Sequence, residues 1–343
     1  MSQKKKNKIF WPWYFGGGLL LCLILVTYTF RYLWWPESKP LVATPAVINE
    51  TLPFRHPLTG ELSVTEITKP QVFAVMIENS AEAWPLAGLE DAFLVIEAPV
   101  EASIPRFVAF YDSNQTVEKI GSVRSARSYY LDWVAEFSAL YAHVGGSPEA
   151  LSLIRNSDLF DLNQFWHDQY FWRSADRFAP HNVYTSSGLL NQVLTNQKEP
   201  QEIDYGLWSF KNAEPTENPI DPNLFLNHDS SLYRIEWKYQ PETNDYLRRQ
   251  NDREMTSADG DSIKANNVAV VYTEILAIDA LDRKEIQTIG QGEALVLQDG
   301  KKIPAVWQKE SATDRLRFYS EDGKEIKWNA GKIWIEIVST LDK

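Results

Sequence analysis

Short apolar runs punctuate the chain from residue 72 onward. Val72-Phe-Ala-Val-Met-Ile77 has no polar break and predicts a strand buried on both faces. Residues 92–96 and 107–111 predict two more strands, and Ile120-Gly-Ser-Val123 starts a fourth. Residues 128–137 suit an amphipathic helix, and Ala139 to Val144 is another short apolar run. That run stops at Gly145-Gly146. Ser147 then stands at an N-cap position, Pro148 at the first helical position and Glu149 in the first turn, which predicts a helix over 148–155. A sheet with helices against it places residues 58–200 in the α/β or α+β class.

The pattern changes after a polar stretch, residues 201–227, that holds Pro215, Pro219 and Pro222. Tyr233-Arg-Ile-Glu-Trp-Lys-Tyr239 alternates with period two. Residues 268–272, 293–297, 315–319 and 332–338 predict further strands. Asp299-Gly300 and Asp322-Gly323 are hairpin signals. Residues 228–343 therefore read as a small all-β domain. Gly290-Gln-Gly292 has no helix after it and supports no dinucleotide site.

The N-terminus has its own pattern. Residues 1–8 carry Lys4, Lys5, Lys6 and Lys8, and residues 9–33 are largely apolar, with Trp11, Trp13 and Tyr14 at one end and Tyr32, Trp34 and Trp35 beyond the other. That length and those aromatic belts predict a single transmembrane signal anchor. The lysines place the short tail, 1–8, in the cytoplasm and the remainder outside. Residues 34–57 are proline-rich and read as a linker. Cys22, the one cysteine, follows Leu20-Leu21 rather than the small residue a lipidation site uses, so the soluble part has no disulfide and no cysteine metal site. The net charge of −12 over 343 residues argues against nucleic acid as a partner.

The chemistry concentrates between residues 119 and 184. Arg124 and Arg127 lie in a loop after the fourth strand; Arg173, Arg177, His181, Asn182 and Tyr184 lie further on. Between them come His143 and the Gly145-Gly146-Ser147 turn. A Gly-rich turn into a helix N-terminus offers backbone N–H groups and partial positive charge. Arginine adds a planar fork matched to phosphate or carboxylate. Together these residues predict a pocket for an anion. Carboxylates recur at strand ends, at Glu78, Asp91, Glu97 and Glu101. They could neutralise the arginines, and Asp91 and Glu97 are weak candidates for a divalent cation. No other cofactor is expected.

Several of these stretches resemble the bacterial YerB-like lipoprotein family, a two-part family of unknown function. The resemblance is carried by Ala74-Val-Met-Ile-Glu-Asn79, Ile120-Gly-Ser-Val-Arg-Ser-Ala-Arg127, His143-Val-Gly-Gly-Ser-Pro-Glu-Ala150, Phe171-Trp-Arg173 and Pro180-His-Asn-Val-Tyr184. In the second half it is carried by Ala265-Asn-Asn-Val268 and Trp328-Asn-Ala-Gly-Lys-Ile-Trp334. The layout is also similar to that of the LytR–CpsA–Psr phosphotransferases. That likeness implies arginines on a polyprenyl pyrophosphate, at Arg124 and Arg127, and an acid on a metal, at Asp91. Ser125 stands where those enzymes have aspartate. Three functions stay open: a protein of the bacterial cytoplasmic membrane, its domains outside, that binds an anionic glycan, a lipid-linked pyrophosphate or an acidic peptide; a phosphoglycosyl transferase; and a structural or partner-binding protein without ligand. No nucleophile and base lie close enough to settle whether it is an enzyme.

Overall fold

The computed structural model describes residues 25–31, 54–197, 204–226 and 231–342. Residues 25–31 are helical. The rest of the expected anchor, its lysine tail and nearly all of the linker lie outside the described residues. Among the described residues no helix is long and apolar enough to cross a membrane.

Residues 51–343 form one compact unit. Its centre is a ten-stranded mixed sheet. In chain order its strands are β1 (Val72–Glu78), β2 (Leu94–Pro99), β3 (Pro105–Asp112), β4 (Leu140–His143), β5 (Phe160–Asn163), β6 (Asn267–Thr273), β7 (Gly290–Gln298), β8 (Lys301–Lys309), β9 (Arg317–Ser320) and β10 (Ile333–Ser339). Across the sheet the order is β9-β8-β7-β6-β10-β2-β3-β1-β4-β5. The segments either side of residues 201–227 thus merge in one sheet. The join is β10, which pairs in parallel with β2 on one side and β6 on the other.

Both faces of the sheet are covered, which is why its central strands are apolar without interruption. Val72, Ala74 and Met76 face one core, with Ile333, Ile335 and Ile337. Helices α1 (Tyr130–Ala135) and α2 (Pro148–Arg155) cover it through Trp133, Val134 and Ile154. Phe73, Val75 and Ile77 face the other core, with Val268, Val270 and Trp334. Helix α3 (Ser187–Thr195) covers part of that face through Leu190 and Val193. A second sheet covers more of it, with strands Leu224–Leu226, Ile235–Gln240, Asp245–Gln250 and Arg253–Glu254 in that order. Trp237 of this sheet meets Trp334 edge-to-face, with centroids 5.2 Å apart.

Helices flank the sheet as expected, but they are a small part of a mostly β-rich fold. The three helices are short, and α1 is shorter than the 128–137 expected. The second half is not a separate β layer, because its longest apolar strands complete the main sheet. Local signals fared better. Ser147 Oγ accepts from Ala150 N at 3.2 Å and caps α2, which begins at Pro148. Asp299 and Gly300, at φ of 56° and 71°, close the two-residue turn between β7 and β8.

Candidate functional site

β1, β4 and β5 run parallel and finish side by side at Glu78, His143 and Asn163. Ligands of open sheets with parallel strands collect beyond such ends. The arginine loop crosses there. Arg124 N donates to Met76 O, Arg124 O accepts from Val144 N, and Ala126 N donates to Gly145 O. The loop is therefore laced to the end of β1 on one side and to the Gly-Gly turn on the other.

Glu78 is the hub of this region. Its carboxylate is buried, with a side-chain exposure of 3 %. Oε1 accepts from Ser122 Oγ at 2.5 Å. Oε2 accepts from Ser80 Oγ at 2.6 Å and from His181 Nδ1 at 2.8 Å, and Arg124 Nε stands 3.3 Å away. A carboxylate only accepts, so the proton of His181 sits on Nδ1. Both serine hydroxyls donate to the acid, and Ser80 Oγ also lies 3.3 Å from His181 Nδ1. Serine and acid thus face the same ring nitrogen, whereas a nucleophilic triad places them on opposite ones.

The other expected residues are held apart from this hub. Arg127 is bidentate on Glu101, Nε to Oε1 at 2.7 Å and Nη2 to Oε2 at 2.6 Å. Burial works to raise the Glu101 pKa, but Arg127 outweighs it and lowers the value below the ordinary range. His143 is fully buried. Its Nδ1 donates to Gly145 O at 2.6 Å, its Nε2 meets Asp161 at 2.6 Å, and its ring stacks on Tyr141. Gly145 N–H goes to Asn163 and Ser147 N–H to Ala126 O, so this turn spends those donors internally rather than on a ligand. Gly145 has φ +58°, and a Cβ there would lie 2.6 Å from the Phe165 ring. Gly146 packs against Ala126.

Arg173 donates to Asn182 Oδ1 at 2.9 Å. Arg177 staples the 82–85 loop, donating to the carbonyls of Glu82, Trp84 and Pro85. Tyr184 lies under the Lys119 ammonium, 4.4 Å from the ring centroid. Of the expected residues, Arg124 and His181 are brought together, both at Glu78 Oε2.

The two acids considered for a metal do not meet at this rim of the sheet. Asp91 precedes β2 and so lies at the opposite end of the sheet from Arg124. That removes it from the place the phosphotransferase likeness gave it. Glu97 is bidentate on Arg248, at 2.9 and 2.7 Å, and both are fully buried. Among the described residues no group of three or more His, Cys, Asp or Glu side chains is arranged to hold a metal ion.

Sequence reasoning passed over Ser80, Ser122, Asp161 and Arg248. Arg248 joins the halves. It lies 5.1 Å from the Trp334 ring centroid, and its Nη1 donates to Gln250, which Asn79 also reaches. Beside it Glu336 accepts from Trp237 Nε1 at 2.8 Å. Burial, and then the neighbouring Glu97 charge, raise the Glu336 pKa well above the carboxylate range. Two buried acids beside one arginine thus share the site, an arrangement that favours the protonated form of Glu336.

Comparison with known proteins fits this layout. Residues 58–201 match the N-terminal domain of the family described as "Protein of unknown function (DUF3048)", and residues 225–335 match its C-terminal domain. The chain belongs to the YerB-like family. It is 29% identical over 301 residues to "Putative lipoprotein YerB" of Bacillus subtilis (strain 168), covering 87% of this chain and 90% of that one. The crystal structure of the YerB protein from Bacillus subtilis superposes with a TM-score of 0.74 at 27% identity, over 83% of this chain and 96% of the other. The YerB-like motifs sit where the structure is most constrained. Ala74–Asn79 ends at the Glu78 hub, and His143–Ala150 spans the Gly-Gly turn and the cap of α2.

Proposed function

We propose that this YerB-like protein is tethered to the outer face of the cytoplasmic membrane and binds an anionic group at the rim where β1, β4 and β5 end. The lipoprotein name of its Bacillus relative and the apolar segment 9–33 support the tether. Protease added to intact spheroplasts should degrade the 54–342 unit; full protection would overturn this topology.

The observation that carries the ligand reading is Arg124. It is a quarter exposed, and its Nε is buried without a well-formed hydrogen bond among the described residues. Its Nη1 reaches only Pro180 O, at 3.4 Å. Five N–H donors are thus met by two long contacts, whereas Arg127 beside it makes three hydrogen bonds of 2.6–2.8 Å. The neighbourhood also carries an excess of guanidinium. Arg106 is buried and donates to Ser125 O. Its pKa falls to about 10, through burial first and then the charges of Arg127 and Arg124. Arg106, Arg124 and Arg127 face two carboxylates, Glu78 and Glu101. An anion on Arg124 would restore the balance. Exposed Phe165, Trp166 and Phe178 lie on loops beside this rim and offer apolar contact to whatever carries the charge.

The test is calorimetric titration with pyrophosphate and with a lipid-linked glycan precursor. Arg124→Ala should weaken binding by about tenfold or more, the value of one or two charge-assisted hydrogen bonds. No binding, or binding unchanged in Arg124→Ala, would leave the arginines as scaffold.

A further inference from the structure

A second site lies at the other end of the sheet. The residues just before β2, β6 and β10, with the end of antiparallel β3, surround a cavity of about 520 Å³. That is the size of a small-molecule site. The segments either side of the 201–227 stretch both line the cavity, and the charges they bring to the lining differ in sign. Glu61, Glu90, Asp91 and Asp112 come from the first segment; Lys264 and Lys332 come from the second, with Asn266 and Ser262 between them.

Several of these charges are already committed. His56 Nδ1 accepts from Leu58 N and Thr59 N, so its Nε2 carries the proton that goes to Asp112 at 2.8 Å. That ring is a neutral donor, and Asp112 is occupied. Lys332 Nζ donates to the carbonyls of Leu89, at 2.9 Å, and Glu90, at 2.5 Å. Desolvation brings its pKa down to about 8, against the pull of Glu90 and Asp91.

Two sets of groups remain for a ligand. Glu90 and Asp91 are drawn to Lys332 without an ion-pair contact to it; Glu90 also takes a side-chain hydrogen bond from Ser257 and keeps Oε2 buried without a partner among the described residues. Burial raises both carboxyls above their ordinary range, and Asp259 and Asp261 add to this at Asp91. A cation placed between them would relieve that burden. Lys264, also in the lining, has one long ion pair, 3.5 Å to Asp245, and its side chain is 41 % exposed. It can turn to an anion in the cavity. Amides of Asn114, Gln115 and Asn266 line the space between.

We propose that this cavity binds a small zwitterion of amino-acid or dipeptide size, its ammonium against Glu90 and Asp91 and its carboxylate against Lys264. Charges of both signs in the lining select for a solute with charge at both ends. Such a ligand would touch both segments and hold them together.

The experiment uses the full-length chain in detergent. Thermal shift with the twenty amino acids and a set of alanyl dipeptides, each at millimolar concentration, finds the best binder. Calorimetry then compares that compound with its N-acetyl and C-amide forms. The zwitterion should bind at least about tenfold more tightly than either blocked form, because each loses one charge-assisted contact. Lys264→Met should abolish the preference over the amide, and Asp91→Asn the preference over the acetylated form. Arg124→Ala should change nothing, which separates this site from the anion rim. The proposal is overturned if no compound in the panel binds, or if a blocked form binds as well as its parent. The comparison of blocked forms needs only the wild-type protein, so a misfolded variant does not spoil it.

Discussion

Glu336→Gln tests the buried carboxyl beside Glu97. In the folded protein Glu336 is buried beside Glu97, and its pKa is raised, by desolvation first and by the Glu97 charge second. In the unfolded chain it ionises normally, at about 4.3. A raised folded value means the folded state binds more protons than the unfolded state. The stability it contributes is complete below the unfolded pKa and declines as pH rises toward the folded one. The slope in that window is about 1.4 kcal/mol per pH unit. Glutamine has nearly the same shape, can still accept from Trp237 Nε1, and can donate to Glu97 without titrating. The variant should therefore lose this slope. Its stability relative to wild type should rise with pH above about pH 5, by at most about 1.4 kcal/mol per pH unit, after an offset of about 1 kcal/mol for imperfect amide geometry. Urea denaturation at a series of pH values measures both proteins, and the difference cancels every other titrating group. Parallel curves would refute the reasoning, since they would mean that Glu336 carries the same charge folded and unfolded.

Two further predictions concern the join between the halves. Arg248→Met should cost about 3–5 kcal/mol, because it leaves Glu97 buried without its cation, and adding Glu97→Gln should recover much of the loss; denaturation of the single and double variants checks both, and additive losses would refute the pairing. A protease site engineered between residues 197 and 204 should yield two fragments that co-elute on size exclusion, held by β10 between β2 and β6. Separation of the fragments without denaturant would show instead that each segment holds its fold alone.

The parts of the structure legible in the sequence were those decided locally. Ser147-Pro148-Glu149 specifies a helix start with no help from distant residues, and Asp299-Gly300 needs only a left-handed backbone. The arginine loop and Gly-Gly turn were also found, because residue type alone marks them. Their partners were not, since pairing is a property of distance. Glu101 was visible as an acid near a strand end, but nothing in the order of residues joins it to Arg127. Arg248 was hidden for a different reason. It occupies an inward position between Tyr246 and Gln250, and a period-two reading treats a charged residue as outward. The merging of the two halves left a trace that a domain-by-domain reading discards. Residues 268–272 and 333–338 are nearly unbroken apolar runs, as a strand covered on both faces needs and an edge of a small β domain does not.

β10 is among the last strands of the chain and among the innermost of its sheet. Until residues 333–339 arrive, β2 and β6 each present a bare hydrogen-bonding edge. An edge of that kind, flanked by apolar faces, invites pairing with another chain. During synthesis the first segment would wait, incomplete, for a strand made more than two hundred residues later. A chaperone that shields β2, or rapid delivery of the whole chain, would then decide yield more than the stability of the finished protein does. Loss of β10 alone would split the main sheet at its middle and leave two sticky halves rather than one trimmed domain.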